Sequence, residues 1–187
     1  MNARRPRLLL GVGNVLRRDD GAGVFAARAA TRLRLGPDLE AYDGGCGGID
    51  LADVLEGRAR VVIVDAIDAG MPPGASTRMS PEELRPAIRT GVSLHDLHLL
   101  DALAELRLLH SAPRCVIVIG VQVADISVGI GLSPAVERAL PGVIRSALCA
   151  LGAPAPAVIP NVRDALMPAA ADGIPGAGVE SVSCKSK

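Results

Sequence analysis

Short apolar runs recur along the first 150 residues of the chain. The three clearest are residues 8–12, 60–67 and 115–121. They are apolar at consecutive positions rather than at alternate ones, which is typical of strands buried on both faces in a parallel sheet. Shorter runs at 40–42 and 76–79 predict two further strands, the second of them at an edge.

Between the strands, apolar residues return at the spacing of a helix. The predicted helical segments are 21–35, 49–55, 93–110 and 133–151. Ser133 and Pro134 suit the start of the last one, whereas Pro141 should break or kink it. Strands alternating with helices predict an α/β fold, a three-layer αβα sandwich with a mostly parallel twisted sheet of about five strands.

The composition changes near Gly152. Residues 152–187 are rich in Ala, Pro and Gly, and their few apolar residues follow no sustained period. We therefore predict one folded domain over residues 1–151, followed by a poorly ordered tail over 152–187.

Charge and composition exclude several classes of partner. Twenty basic and twenty acidic residues cancel, and only Phe25 and Tyr42 are aromatic. The chain therefore has neither the excess of positive charge that attracts phosphates nor enough aromatic side chains to stack on bases, so we expect no nucleic-acid partner. No apolar segment approaches the ~20 residues that cross a membrane. The four cysteines form no CxxC pair, which is typical of a reduced protein, and we expect a soluble, cytoplasmic one.

Reactive side chains follow the predicted strands. Asp19 and Asp20 come after the first strand, Asp65 closes the third, and His95 begins a helix. Ligands of such folds bind beyond the carboxyl ends of the strands, so these residues are candidates for a site there. Carboxylate oxygens with an imidazole nitrogen suit a borderline divalent ion such as Ni²⁺ or Zn²⁺. In the first turn of a helix, the dipole favours the neutral imidazole that binds metals.

Each candidate also has a purely structural interpretation. Asp19 and Asp20 would cap the first helix, Asp65 would accept from backbone amides, and His95 would bond to a neighbour. Gly11 and Gly13 suggest a rival function in dinucleotide binding. Leu16 occupies the position of the third small residue of that fingerprint, and the paired aspartates would repel a pyrophosphate, so we expect no nucleotide cofactor.

Five blocks of the sequence form a recognisable series: LLLGVGNVLRRDDGAGV at 8–24, YDGGCGGIDL at 42–51, VVIVDAIDAG at 61–70, SLHDLHLLDAL at 93–103 and VIGVQVADISVGIGLSPAVERALP at 118–141. In this order and spacing they resemble the hydrogenase maturation endopeptidases. The resemblance extends from about residue 7 to 151, which would make residues 1–151 a hydrogenase maturation protease domain. Cys46 departs from the threonine common in the family, and His98 from a small residue.

The resemblance implies both a function and a site. Members of the family remove a C-terminal peptide from the [NiFe]-hydrogenase large-subunit precursor, which would be the partner of this chain. The family's metal ligands fall on Asp20, Asp65 and His95, which the resemblance makes the expected catalytic and metal-binding residues. The nickel would be held by the substrate. A non-cleaving, metal-sensing chaperone for the large subunit would carry the same ligands and stays an alternative at this point.

Overall fold

The structure is a computed structural model that describes residues 5–47, 50–88, 94–154 and 156–165. The strands are β1 (Arg7–Gly11), β2 (Leu39–Asp43), β3 (Arg60–Ile67), β4 (Ser76–Met79) and β5 (Val116–Gln122). The α-helices are α1 (Ala22–Thr31), α2 (Asp50–Leu55), α3 (Pro81–Ile88), α4 (Leu94–Leu108) and α5 (Pro134–Ala150). Two short 3-10 helices span Arg18–Gly21 and Val162–Ala165.

The five strands form one sheet in the order β2-β1-β3-β5-β4. The first four are parallel, while β4 runs antiparallel to β5 at the edge. The predicted α/β fold with a mostly parallel five-stranded sheet is therefore confirmed. The parallel arrangement brings the carboxyl ends of β1, β2, β3 and β5 to a single edge of the sheet, which we call the carboxyl edge.

The sheet separates two hydrophobic cores. On one face, Leu9 and Val62 pack with α1 and α5, and on the other, Leu8 and Ile63 pack with α2, α3 and α4. Successive side chains of a strand point to opposite faces, so the unbroken apolar runs supply both cores. All four of these side chains are fully buried, which contributes roughly 1.5–3 kcal/mol each.

Two features of the helices differ from the sequence prediction. Helix α3 was not predicted, although its start carries a capping box in which Glu83 accepts from the Ser80 amide and Ser80 accepts from the Glu83 amide. Pro141, expected to break or kink the last helix, lies inside a helix that continues from Pro134 to Ala150. Burial of the apolar face of α5 compensates for the free energy lost with the hydrogen bond that proline cannot donate.

The segment after α5 also differs in part from the expectation. Val162 is only 3% exposed and belongs to the core between α1 and α5, with Ile159 packed against it. The beginning of the predicted tail thus contacts the folded domain. Residues 166–187 lie outside the described part of the chain, so the domain boundary stays a prediction. No helix among the described residues is long and apolar enough to cross a membrane.

Candidate functional site at the carboxyl edge

Two of the predicted site residues lie together at the carboxyl edge. Asp20 belongs to the 3-10 helix that follows β1, and Asp65 lies near the end of the neighbouring strand β3. That 3-10 helix contacts β3 directly. The two side chains are 7% and 1% exposed, respectively. Buried carboxylates interact strongly with any cation that reaches them, because little water screens the charge.

Asp65 has a defined position within the sheet. It pairs with Gly120 of β5, one residue beyond the last pair that joins β1 to β3. Its Oδ1 accepts a hydrogen bond from the Ala66 amide at 2.7 Å. The Ala66 amide thus orients this carboxylate at the position where the pairing of β3 with β1 has ended.

The third predicted residue, His95, lies in the first turn of α4 by sequence. The loop after α4 joins the opposite edge of the sheet, where the Arg114 amide donates to the Arg58 carbonyl and the Val61 amide donates to the Cys115 carbonyl. Helix α4 therefore begins on the side of the carboxyl edge. The side chains of His95 and His98, and the predicted cap at Ser93, lie outside the described part of the structure.

Asp19 has a structural function. Its side chain is fully buried, and its carboxylate accepts three backbone N–H groups: Oδ2 from Ala124 at 2.8 Å and Asp125 at 3.0 Å, and Oδ1 from Ser133 at 2.6 Å. It thereby ties the loop after β1 to the loop between β5 and α5. Because these three hydrogen bonds occupy both oxygens of Asp19, they support Asp20 as the member of the pair that faces a ligand.

Gln122 holds the loop after β3 in place and was not identified from the sequence. Its side chain is 4% exposed; Oε1 accepts from the Ala69 and Met71 amides at 2.8 and 3.1 Å, and Nε2 donates to Asp68 at 3.0 Å. The loop that follows Asp65 is therefore fixed by the last residue of β5. A polar residue that closes an otherwise apolar strand was the sequence signal for this function.

The glycines near β1 allow α1 to approach the sheet closely. A Cβ atom at Gly11 would lie 1.9 Å from the Gly23 carbonyl oxygen, and one at Gly23 would lie 2.1 Å from the Val64 carbonyl oxygen. Contacts this short exclude any side chain. Gly11, one of the two glycines that suggested dinucleotide binding, is thus required by helix–sheet packing.

The glycine-rich loop after β2 borders a small cleft of about 210 Å³ against α2. Asp43 accepts from the Gly45 amide at 2.9 Å and forms an ion pair with Arg28 at 2.7 Å. Cys46 is exposed on this loop and lines the cleft. The loop borders the carboxyl edge on the side of β2.

On the side of β5, two loops are joined. Arg18 donates to Ser127 Oγ at 3.1 Å and forms an ion pair with Asp125 at 3.2 Å. Hydrogen bonds from the Ser127 amide and hydroxyl, aided by the Arg18 charge, hold the pKa of Asp125 below its usual range. The Asp125 carboxylate therefore stays ionised at neutral pH and keeps the two loops together.

Among the described residues, no group of three His, Cys, Asp or Glu side chains could hold a metal ion. The His95 side chain lies outside those residues. The set Asp20, Asp65 and His95 therefore stays a prediction. The structure brings its two carboxylates to one edge and directs the start of α4 to the same side.

Comparison with known proteins identifies the family. The sequence profile described as HycI, hydrogenase maturation protease, matches residues 26–150. The chain belongs to the hydrogenase maturation protease family. The hydrogenase 2 maturation protease of Escherichia coli is 33% identical over 146 residues, which is 77% of this chain and 89% of that protein.

Solved structures of hydrogenase maturation proteases share the fold. The hydrogenase maturating endopeptidase HybD of E. coli superposes with a TM-score of 0.72 at 32% identity, covering 78% of this chain and 91% of that one. HybD of Thermococcus kodakarensis matches at 28% identity with a TM-score of 0.62, covering 75% and 95%. As a member of this family, the chain is a hydrolase of the peptidase class, which confirms the resemblance seen in the sequence.

Proposed function

We propose that this protein is an endopeptidase that removes the C-terminal peptide of a nickel-loaded [NiFe]-hydrogenase large-subunit precursor and that it recognises the bound nickel. The observation that carries this proposal is the pair of buried carboxylates, Asp20 and Asp65, on adjacent segments of the carboxyl edge in a chain of this family. The relatives are named for hydrogenase maturation, which supports the choice of substrate.

The donor chemistry fits a substrate-held nickel ion. Two carboxylates and one imidazole, from Asp20, Asp65 and His95, would form a mixed oxygen and nitrogen set that suits a borderline divalent ion. Three protein ligands leave further coordination positions for groups of the precursor. The ion would supply Lewis-acid polarisation of the scissile carbonyl or of a water molecule.

The residues of this chain would bind and orient the precursor. Burial of two carboxylates at one edge of the sheet is unfavourable without a cation, which favours a precursor that carries its metal over one that lacks it. Backbone amides that donate to Asp19 and Gln122 hold the loops around these carboxylates. Cleavage would thus report that metal insertion is complete, and we expect it to occur in the cytoplasm.

The test compares nickel-loaded and nickel-free precursors, with mass spectrometry of the C-terminus. We expect the wild-type protein to cleave only the loaded form and the variants Asp20→Asn, Asp65→Asn and His95→Gln to lose at least a hundredfold in rate. Asp38→Asn is the matched control, because Asp38 is half exposed and pairs with Arg7 at the opposite edge of the sheet. Equal cleavage of both precursors would refute nickel recognition. Binding without cleavage would instead indicate a chaperone.

A further inference from the structure

Four large apolar side chains are exposed on the two loops beside Asp20. Leu16, Ile126, Val128 and Ile130 are 58%, 44%, 87% and 72% exposed, respectively. We call these four residues the apolar patch. Single exposed apolar side chains are ordinary, but a group on neighbouring loops is typical of a binding surface.

The backbone joins the two halves of the patch. The Gly129 amide donates to the Leu16 carbonyl at 2.9 Å, and the Arg18 amide donates to the Gly129 carbonyl at 2.9 Å. Arg17 Nε donates to the Ile126 carbonyl at 3.3 Å. Leu16 therefore lies beside the loop that carries the other three apolar residues.

Side chains fix the loops in this arrangement. Arg18 packs against Gly129, where a Cβ atom would lie 3.2 Å from Arg18 Nε. The Ser127 amide donates to Asp125 Oδ1 at 2.8 Å, and the buried Asp19 carboxylate accepts from the Asp125 amide. A surface held in this way loses little conformational entropy when a partner binds, which favours affinity.

The patch adjoins the candidate site through the chain itself. The Asp20 amide donates to the Arg17 carbonyl at 3.0 Å. The loop that carries Leu16 and Arg17 is therefore bonded directly to Asp20, one of the two carboxylates of the candidate site. Arg17 is exposed, and among the described residues no carboxylate forms an ion pair with it. The surface thus combines apolar side chains with a cation available to a partner.

From this combination we infer that the apolar patch docks an apolar segment of the precursor polypeptide that carries a carboxylate, which pairs with Arg17, and thereby holds the precursor beside Asp20. This inference rests on the proposed function. Complementary charge fixes the register of the segment, while apolar contact supplies most of the affinity. The patch acts on binding, so its loss changes KM rather than kcat.

The experiment measures precursor binding by fluorescence anisotropy and processing kinetics with the purified, nickel-loaded precursor. The test variants are the double variant Val128→Asp with Ile130→Asp, and Arg17→Glu. Val158→Asp and Leu108→Asp are matched controls, because these side chains are 78% and 82% exposed elsewhere on the surface. All five positions are exposed, so circular dichroism melting curves should match the wild type.

We expect the double variant to raise Kd and KM at least tenfold, with kcat at saturating precursor unchanged within about twofold. Arg17→Glu should weaken binding at low salt more than at high salt. The controls should behave as the wild type.

Several outcomes would overturn the inference. Normal KM in the test variants, while the wild type still cleaves, would refute docking and leave the proposed function intact. Equal weakening in the controls would also refute it. If the wild type self-associates in sedimentation experiments and the double variant does not, with precursor binding unchanged, the patch joins two copies instead. If the wild type binds without cleaving and the double variant loses binding, docking holds and the endopeptidase proposal fails.

Discussion

Replacing Asp19 by alanine should destabilise the protein strongly, although Asp19 is not a proposed ligand. The substitution removes a fully buried carboxylate that accepts three backbone N–H groups at 2.6–3.0 Å. Each hydrogen bond to a charged group contributes about 1.5–3 kcal/mol. Water can reach part of the loop once the side chain is shortened, because Ala124 is exposed and Ser133 half-buried.

We therefore expect a net loss of about 3–5 kcal/mol in the free energy of unfolding, which is less than the sum of three such hydrogen bonds because water replaces part of them. For a domain of this size the melting temperature should fall by on the order of 10 °C. The loop that carries Asp125 should also lose protection from hydrogen exchange, since its anchor is gone.

Urea unfolding followed by circular dichroism measures the change, with Asp38→Ala as the control. The ion pair of Asp38 with Arg7 is half exposed, so its loss should cost less than about 1 kcal/mol. A change below 1 kcal/mol in Asp19→Ala would refute the assignment of Asp19 as the residue that ties these loops together. A large change in m-value would show that the variant no longer unfolds in one step, and hydrogen exchange would then decide.

Two further substitutions test the packing around the site. Gly23→Ala should abolish processing and lower the melting temperature by several degrees, because the alanine Cβ would lie 2.1 Å from the Val64 carbonyl oxygen. This clash outweighs the advantage of about 1 kcal/mol that alanine has over glycine in a helix. Gly142→Ala within α5 is the control, because no atom outside the helix backbone lies within 4 Å of the Cβ that it would add. A Gly23→Ala protein as stable as this control would contradict the close approach of α1 to β3. Gln122→Met keeps the volume but leaves the Ala69 and Met71 amides without their acceptor, and should cost about 1–3 kcal/mol. Hydrogen exchange of residues 68–71 should rise, and unchanged exchange would remove Gln122 as the residue that positions this loop.

The sequence by itself determined the fold class and most of the strands and helices. Strands β3 and β5 are apolar at nearly every position, which only a strand buried on both faces can satisfy, and their bounds were predicted to within one residue. The sequence also allowed the placement of Asp20 and Asp65 at one edge of the sheet to be predicted, because the carboxyl ends of parallel strands meet there.

Tertiary contacts decided what local patterns could not. Pro141 disfavours a helix locally, yet α5 continues because its buried stripe is held by the sheet. Asp19 and Asp20 are adjacent residues of the same type, so only their surroundings distinguish them. The amides that donate to Asp19 belong to residues 124, 125 and 133, far away in sequence. Val162 belongs to a stretch whose apolar residues follow no period, but the core between α1 and α5 that buries it is formed by residues distant in sequence. Burial and hydrogen bonding depend on neighbours brought from afar, so no local pattern encodes them.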